Sequence, residues 1–102
     1  MIYYVDVDNT LCMTRGMDYA GAVKISSKIA KVNKLFNAGH TVVIWTSRGM
    51  GIKAADPGAF GRKQEIRELT RKQLKDWGVK YTMLRLDKPI FDTLFDDKAE
   101  NL

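Results

Sequence analysis

The segment 2-IYYVDVDNT-10 decides the fold class, because an apolar and aromatic run leads directly into acidic and turn-forming residues. Such a run predicts a buried strand over residues 2–7, which ends where the turn residues begin. With Val7 still extended, the alternation of a strand places the carboxylates of Asp6 and Asp8 on the same side of the chain. The sequence therefore predicts a strand that presents two acids at its carboxyl end.

The rest of the chain alternates between helical and extended patterns. Apolar residues recur every three or four positions over residues 21–38, as an amphipathic helix requires, and 41-TVVIWT-46 has the strongest strand signal in the chain. Glycine and proline residues predict an irregular loop over residues 48–61. The other predicted elements are a loop or hairpin over residues 11–19, a helix over about 62–77, and strands over 80–86 and 91–95.

This order of elements predicts a single α/β domain, residues 1–102, with a mostly parallel sheet. A chain of 102 residues is too short to divide into two parts with separate cores. Ligands bind such sheets outside the carboxyl ends of the strands. The reactive groups that follow the predicted strands are Asp6 and Asp8, Thr46, Lys88, and the pair Asp96–Asp97.

Composition limits the classes of function. The formal net charge of +5 suits an anionic substrate or a nucleic acid, and equally a solvated helix face, since lysines recur along residues 21–38. No apolar run approaches the roughly 18 residues of a membrane span, and the N-terminal residues lack the pattern of a signal peptide. The single cysteine, Cys12, excludes an intramolecular disulfide and suits a reducing compartment. We therefore expect a cytoplasmic protein without a membrane partner.

The two acid pairs would form a four-acid site, and close carboxylates repel one another unless a cation lies between them. Ligation by oxygen alone favours a hard cation, so we expect Mg²⁺ as the cofactor. A carboxylate can attack a bound phosphoryl group and form an aspartyl-phosphate, while a second acid protonates the leaving oxygen and later deprotonates water. Thr46 would hydrogen-bond the phosphoryl oxygens and Lys88 would offset their charge. These residues predict a phosphomonoester hydrolase.

The same residues form an ordered set of four motifs that resembles the haloacid dehalogenase superfamily of aspartyl-phosphate hydrolases. The motifs are Asp6-Val7-Asp8-Asn9-Thr10 after an apolar strand, Thr46 at the end of the next strand, Lys88 before Pro89, and Asp96-Asp97. More narrowly, the segments that are similar to a branch of small capsule-biosynthesis phosphatases are TSRG at 46–49, RKQLKDWGVKY at 71–81 and KPIFDTLFDDKA at 88–99. The resemblance covers nearly the whole chain.

The resemblance implies a nucleophile and a set of metal ligands. Asp6 would be the nucleophile and a ligand of Mg²⁺. Asp8 would be the general acid/base, and the dehalogenase branch of the superfamily lacks an acid at this position. The Val7 carbonyl and Asp97 would complete the protein ligands, with Asp96 binding the metal directly or through water.

Other residues near the motifs would contact the substrate or compensate its charge. Lys88 would be the charge-compensating lysine, with Lys98 as a rival because only a short stretch separates Lys88 from the fourth motif. We also predict that Asn9, Ser47 and Arg48 bind the substrate.

The resemblance further implies a three-layer, Rossmann-like fold, and the motif spacing leaves no room for an inserted cap domain. An open site admits a phosphate at the end of a large molecule. Sugar phosphates, glycans, nucleotides and polynucleotides are all compatible substrates, and nucleic acid enters only in that role. The loop over residues 48–61 would border the leaving group. An oligomer is also compatible, because a neighbouring subunit could cover the site.

Three other functions fit parts of the sequence. A basic nucleic-acid-binding module with a structural metal fits the charge, but no aromatic–basic recognition motif is visible. A receiver domain combines similar groups, yet it carries its phosphorylated aspartate near mid-chain, where this sequence has Thr46. Phosphotransfer to another acceptor would use the same site as hydrolysis.

Overall fold

The computed structural model describes the whole chain, Met1–Leu102. Its helices are α1 (Ser26–Asn37) and α2 (Ala59–Asp76). Its strands are β1 (Ile2–Val5), β2 (Cys12–Met13), β3 (Val23–Lys24), β4 (Thr41–Trp45) and β5 (Met83–Arg85). The longer strands alternate with the helices, so the predicted α/β class is confirmed.

The main sheet has three parallel strands in the order β1-β4-β5. Val5 is paired with Ile44, and Ile44 in turn with Leu84, so the three strands end close together at the same edge. Strands β2 and β3 form a separate antiparallel hairpin just after the two acids. The parallel sheet therefore collects its carboxyl ends where the sequence places the reactive groups.

One hydrophobic core lies on one face of this sheet. Its buried members come from β1, β2, β4, the turn after β1, both helices and the segment before β5: Val5, Val7, Leu11, Cys12, Ile29, Val32, Val42, Ile44, Leu74 and Val79. Because α1 and α2 share this core, both helices cover the same face. On the other face Tyr4 and Met83 are half exposed. The helices and the sheet thus form two layers, and the third layer of the predicted Rossmann-like arrangement is not seen.

The first helix begins later than the sequence pattern predicts. Val23 and Lys24 pair with the hairpin strand β2, and the amide of Ile25 donates to the Leu11 carbonyl at 2.8 Å. These interactions keep the chain extended up to Ser26. The apolar spacing continues across this boundary, which is why periodicity alone overestimates the helix.

The predicted strand over residues 91–95 is wrong, since no strand follows Arg85. The chain instead crosses the end of the sheet, where the amide of Lys88 donates to the Thr46 carbonyl at 3.2 Å. Phe95 is almost fully exposed, so the apolar alternation that suggested a strand has no partner to pack against. Neither helix combines the length and the hydrophobicity that crossing a bilayer requires.

Candidate active site

A tight turn after β1 holds the two acids. The amide of Val7 donates to Asp6 Oδ1 at 2.8 Å, while the Val7 carbonyl accepts the amides of Thr10 at 3.2 Å and Leu11 at 2.9 Å. Asn9 has φ +60°, which closes the turn in the left-handed region. The backbone hydrogen bonds of this turn therefore fix the positions of Asp6 and Asp8 at the end of β1.

Asp6 meets a lysine from the segment after β5. Lys88 Nζ lies 3.2 Å from Asp6 Oδ2, and the two side chains keep 15% and 33% of their exposure. Lys88 also lies over the rings of Trp45 at 5.8 Å and Phe91 at 5.4 Å from their centroids. The structure thus brings Lys88, and not Lys98, to the predicted nucleophile.

Asp8 meets a buried arginine. Arg48 Nη2 lies 2.8 Å from Asp8 Oδ1 and Arg48 Nε lies 3.0 Å from Oδ2, so the pair is bidentate. Thr14 Oγ1 donates a further short hydrogen bond to Oδ1 at 2.6 Å. The Arg48 side chain is fully buried, whereas Asp8 keeps 22% of its exposure. Asp8 is consequently held more firmly than Asp6.

Arg48 connects Asp8 to the second helix. Its Nη1 donates to Thr70 Oγ1 at 3.1 Å and to Gln73 Oε1 at 2.6 Å, and the Tyr19 ring lies 4.8 Å from the guanidinium carbon. The guanidinium is fully buried, with donors directed at Asp8, Thr70 and Gln73. Arg48 therefore positions Asp8, whereas its contact with the substrate stays a prediction.

Sequence reasoning missed the partners of Arg48 and Asp8. Thr70 and Gln73 are polar residues spaced three apart on the core side of α2, next to the buried Leu74. That spacing is a usable signal, because a polar pair on an apolar helix face needs a buried partner. Thr14 carries no such signal, since only the β2–β3 hairpin returns it toward Asp8.

Thr46 lies just past the end of β4, beside the turn that carries the acids. It is buried, its amide donates to the Arg85 carbonyl at 2.9 Å, and its Oγ1 accepts the amide of Arg48 at 3.2 Å. Ser47 and Asp8 are partly exposed at the same edge. Asn9 is exposed, and its Oδ1 accepts a hydrogen bond from the Thr14 amide at 3.2 Å. Thr46 and Ser47 therefore border the end of β1 where the acids lie.

Cys12 lies next to Asp8 and is fully buried. Burial raises the pKa of its thiol, with a smaller opposing effect of the hydrogen bond to Thr14. The thiol donates to the Val7 carbonyl at 3.5 Å and lies 3.8 Å from Asp8 Oδ1. A buried, protonated thiol is a packing group, in line with the absence of a nearby activating histidine in the sequence.

The predicted metal ligands are not brought together. Asp96 and Asp97 are exposed in the C-terminal segment, where Asp96 Oδ1 accepts the amide of Lys98 at 2.9 Å. The Val7 carbonyl, another predicted ligand, already accepts hydrogen bonds from the amides of Thr10 and Leu11. No group of three or more His, Cys, Asp or Glu side chains is close enough to hold a metal ion. Asp6 and Asp8 supply carboxylate oxygens of the kind that Mg²⁺ prefers, so the magnesium site stays a prediction.

Comparison with known proteins adds evidence on the fold alone. No protein-family model matches the chain, and no curated protein matches it either. Among solved structures, the chain is similar to the crystal structure of an MCSG target from Vibrio cholerae, with a TM-score of 0.77 and 22% sequence identity. The similarity covers 98% of this chain and 82% of that one. At this identity the likeness supports the α/β arrangement and says nothing about activity.

Proposed function

We propose that the protein is a phosphomonoester hydrolase of the haloacid dehalogenase type, with Asp6 as nucleophile and Asp8 as general acid/base. The observation that carries the proposal is the pair of acids at the end of β1, each held by its own cation. Lys88 lies 3.2 Å from Asp6 Oδ2, and Arg48 holds Asp8 through two hydrogen bonds.

In the first step, a carboxylate oxygen of Asp6 forms a bond to phosphorus as the bond to the leaving oxygen breaks. Asp8 gives its proton to that oxygen. In the second step, water attacks the aspartyl-phosphate, Asp8 takes the proton, and phosphate leaves with Asp6 restored. Lys88 offsets the negative charge on the phosphoryl oxygens. Thr46 Oγ1 accepts the hydrogen bond of the Arg48 amide. Its own hydroxyl proton is therefore available for a hydrogen bond to the phosphoryl oxygens.

The difference in exposure supports this division of roles. Asp6 has one cation beside it and keeps 33% of its exposure, so an incoming phosphate can reach it. Asp8 is oriented by two hydrogen bonds from Arg48 and one from Thr14. A nucleophile must be reachable, whereas an acid/base group must be oriented.

The proposal includes Mg²⁺ with Asp6 and one of Asp96 and Asp97 as ligands, in a capless three-layer fold. The support for this part is the chemistry of the donors, since carboxylate oxygens are the ligands that a hard cation prefers. Val7 is left out of the proposed ligands because its carbonyl accepts two amides. A single cysteine, which leaves no intramolecular disulfide to form, supports a cytoplasmic location.

The test is phosphate release from p-nitrophenyl phosphate with Mg²⁺ and with chelator. Turnover should require Mg²⁺ and should fall by about 1,000-fold or more in Asp6→Asn and Asp8→Asn. Asp76→Asn is the matched control, because Asp76 forms only an exposed ion pair with Lys72 at the end of α2. Folded protein without turnover, or full activity in Asp6→Asn, would overturn the proposal. Substrate loss without equal phosphate release would instead identify a phosphotransferase.

A further inference from the structure

A pocket of about 250 Å³ lies beside the candidate active site. It is bounded by the loop after β4, the first turns of α2 and the start of the segment that follows β5. The residues that line it include Arg48, Met50, Phe60, Lys63, Arg67 and Leu86. Its volume is below the roughly 300–1,000 Å³ of pockets that enclose a whole ligand, so it suits part of a larger molecule.

The wall formed by α2 is positively charged. Lys63 and Arg67 are one helical turn apart and both line the pocket, together with the amide side chain of Gln64. No acidic residue lines it, and the four ion pairs of the protein involve neither of these cations. Two like charges at this spacing repel one another. A bound anion would remove that repulsion and would accept hydrogen bonds from both side chains.

The other wall is apolar. Phe60 is 78% exposed and Met50 is 39% exposed, although both are large hydrophobic side chains. With Leu86 they place an aromatic ring and aliphatic surface next to the two cations. This combination suits a ligand that has a flat or apolar ring and a negative charge, because the ring can stack on Phe60 while the anion meets the cations.

The pocket also adjoins the acids. Arg48 lines it and holds Asp8 through Nη2 at 2.8 Å. Leu86 lines it as well, two residues before Lys88, so the backbone at Leu86 is within about 7 Å of the backbone at Lys88. A molecule with its phosphate at Asp6 would therefore extend its leaving group toward Lys63 and Arg67.

We propose that this pocket binds the leaving group of the substrate, and that this group is a nucleoside carrying a second phosphate. The second phosphate binds Lys63 and Arg67, and the base stacks on Phe60. The orientation toward Asp6 rests on the proposed hydrolase function, whereas binding in the pocket does not.

The test measures binding of adenosine 3′,5′-bisphosphate to the Asp6→Asn protein by calorimetry, so that turnover plays no part. Lys63→Gln and Arg67→Gln should each weaken binding by about tenfold, and the double variant by about 100-fold, as expected for lost charge-assisted hydrogen bonds. Phe60→Ala should weaken binding of this probe by about tenfold or more. It should leave binding of glucose 1,6-bisphosphate, which has no base, within about twofold.

Arg62→Gln is the matched control, since Arg62 is exposed on the same helix and does not line the pocket. Equal losses of affinity in Arg62→Gln and Lys63→Gln would show that only the overall positive charge of the helix matters, and this would overturn the proposal. Unchanged affinity in the double variant would overturn it too. If the variants bind as expected while the wild-type protein releases no phosphate from any substrate, the pocket stands and the hydrolase proposal fails.

Discussion

Asp6 and Asp8 are two residues apart, and each meets a cation, but their surroundings differ. Asp8 accepts hydrogen bonds from Nε and Nη2 of the fully buried Arg48 guanidinium and from the Thr14 hydroxyl. Asp6 meets the single ammonium of Lys88, on a segment without helix or strand, and is more exposed. The first pair is part of the packed structure, whereas the second can open without disturbing the core. This difference predicts that removing Arg48 lowers the stability of the protein, whereas removing Lys88 lowers activity and leaves stability nearly unchanged.

The largest expected effect is on stability, in Arg48→Met. The substitution keeps much of the side-chain volume but leaves Asp8, Thr70 and Gln73 without their shared donor. We expect the free energy of unfolding to fall by about 3 kcal/mol, at the lower end for a broken buried pair, because Asp8 is partly exposed. Urea unfolding measures this, with Arg62→Met as the exposed control. A loss below about 1 kcal/mol would show that the pair is not structural.

Lys88→Met should produce the opposite result. We expect kcat for p-nitrophenyl phosphate to fall by about 100-fold, as for the loss of one group that stabilises transition-state charge. The free energy of unfolding should change by less than about 1 kcal/mol, because the pair with Asp6 is solvent-accessible. Lys98→Met is the control, and it decides between the two candidate lysines. A larger loss of activity in Lys98→Met than in Lys88→Met would reverse the assignment.

Thr70→Val should give the smallest effect. Its hydroxyl accepts one hydrogen bond from Arg48 Nη1 at 3.1 Å and donates another to the Ile66 carbonyl at 2.7 Å. Because Gln73 still accepts from the same Nη1, we expect a loss of about 1 kcal/mol in urea unfolding. Thr93→Val, in the exposed C-terminal segment, should be nearly neutral. Equal effects in the two threonines would mean that the hydrogen bonds around Arg48 contribute little.

Local patterns predicted the elements that are most regular. The runs at 2–7 and 41–46 predict strands because β-branched and aromatic residues dominate them, and strands form over Ile2–Val5 and Thr41–Trp45. The two helices form as well, but the hairpin pairing of Val23 and Lys24 shortens the first of them. The segment 91–95 has a strand pattern without a strand. A short segment of alternating apolar residues forms a strand only when a neighbouring strand is available for backbone hydrogen bonds. The local sequence does not show whether such a strand is present.

The sequence by itself determined which reactive side chains follow β1 and β4. Acids and a hydroxyl that directly follow strands of a parallel sheet lie at its carboxyl edge. Only the tertiary structure decided which cation each acid meets, that Arg48 is buried, and that Lys63, Arg67 and Phe60 share one pocket. Those relations join residues far apart in the chain, and they depend on how α2 packs on the sheet. Periodicity reports which face of a helix is buried, but it does not report which buried group that face meets.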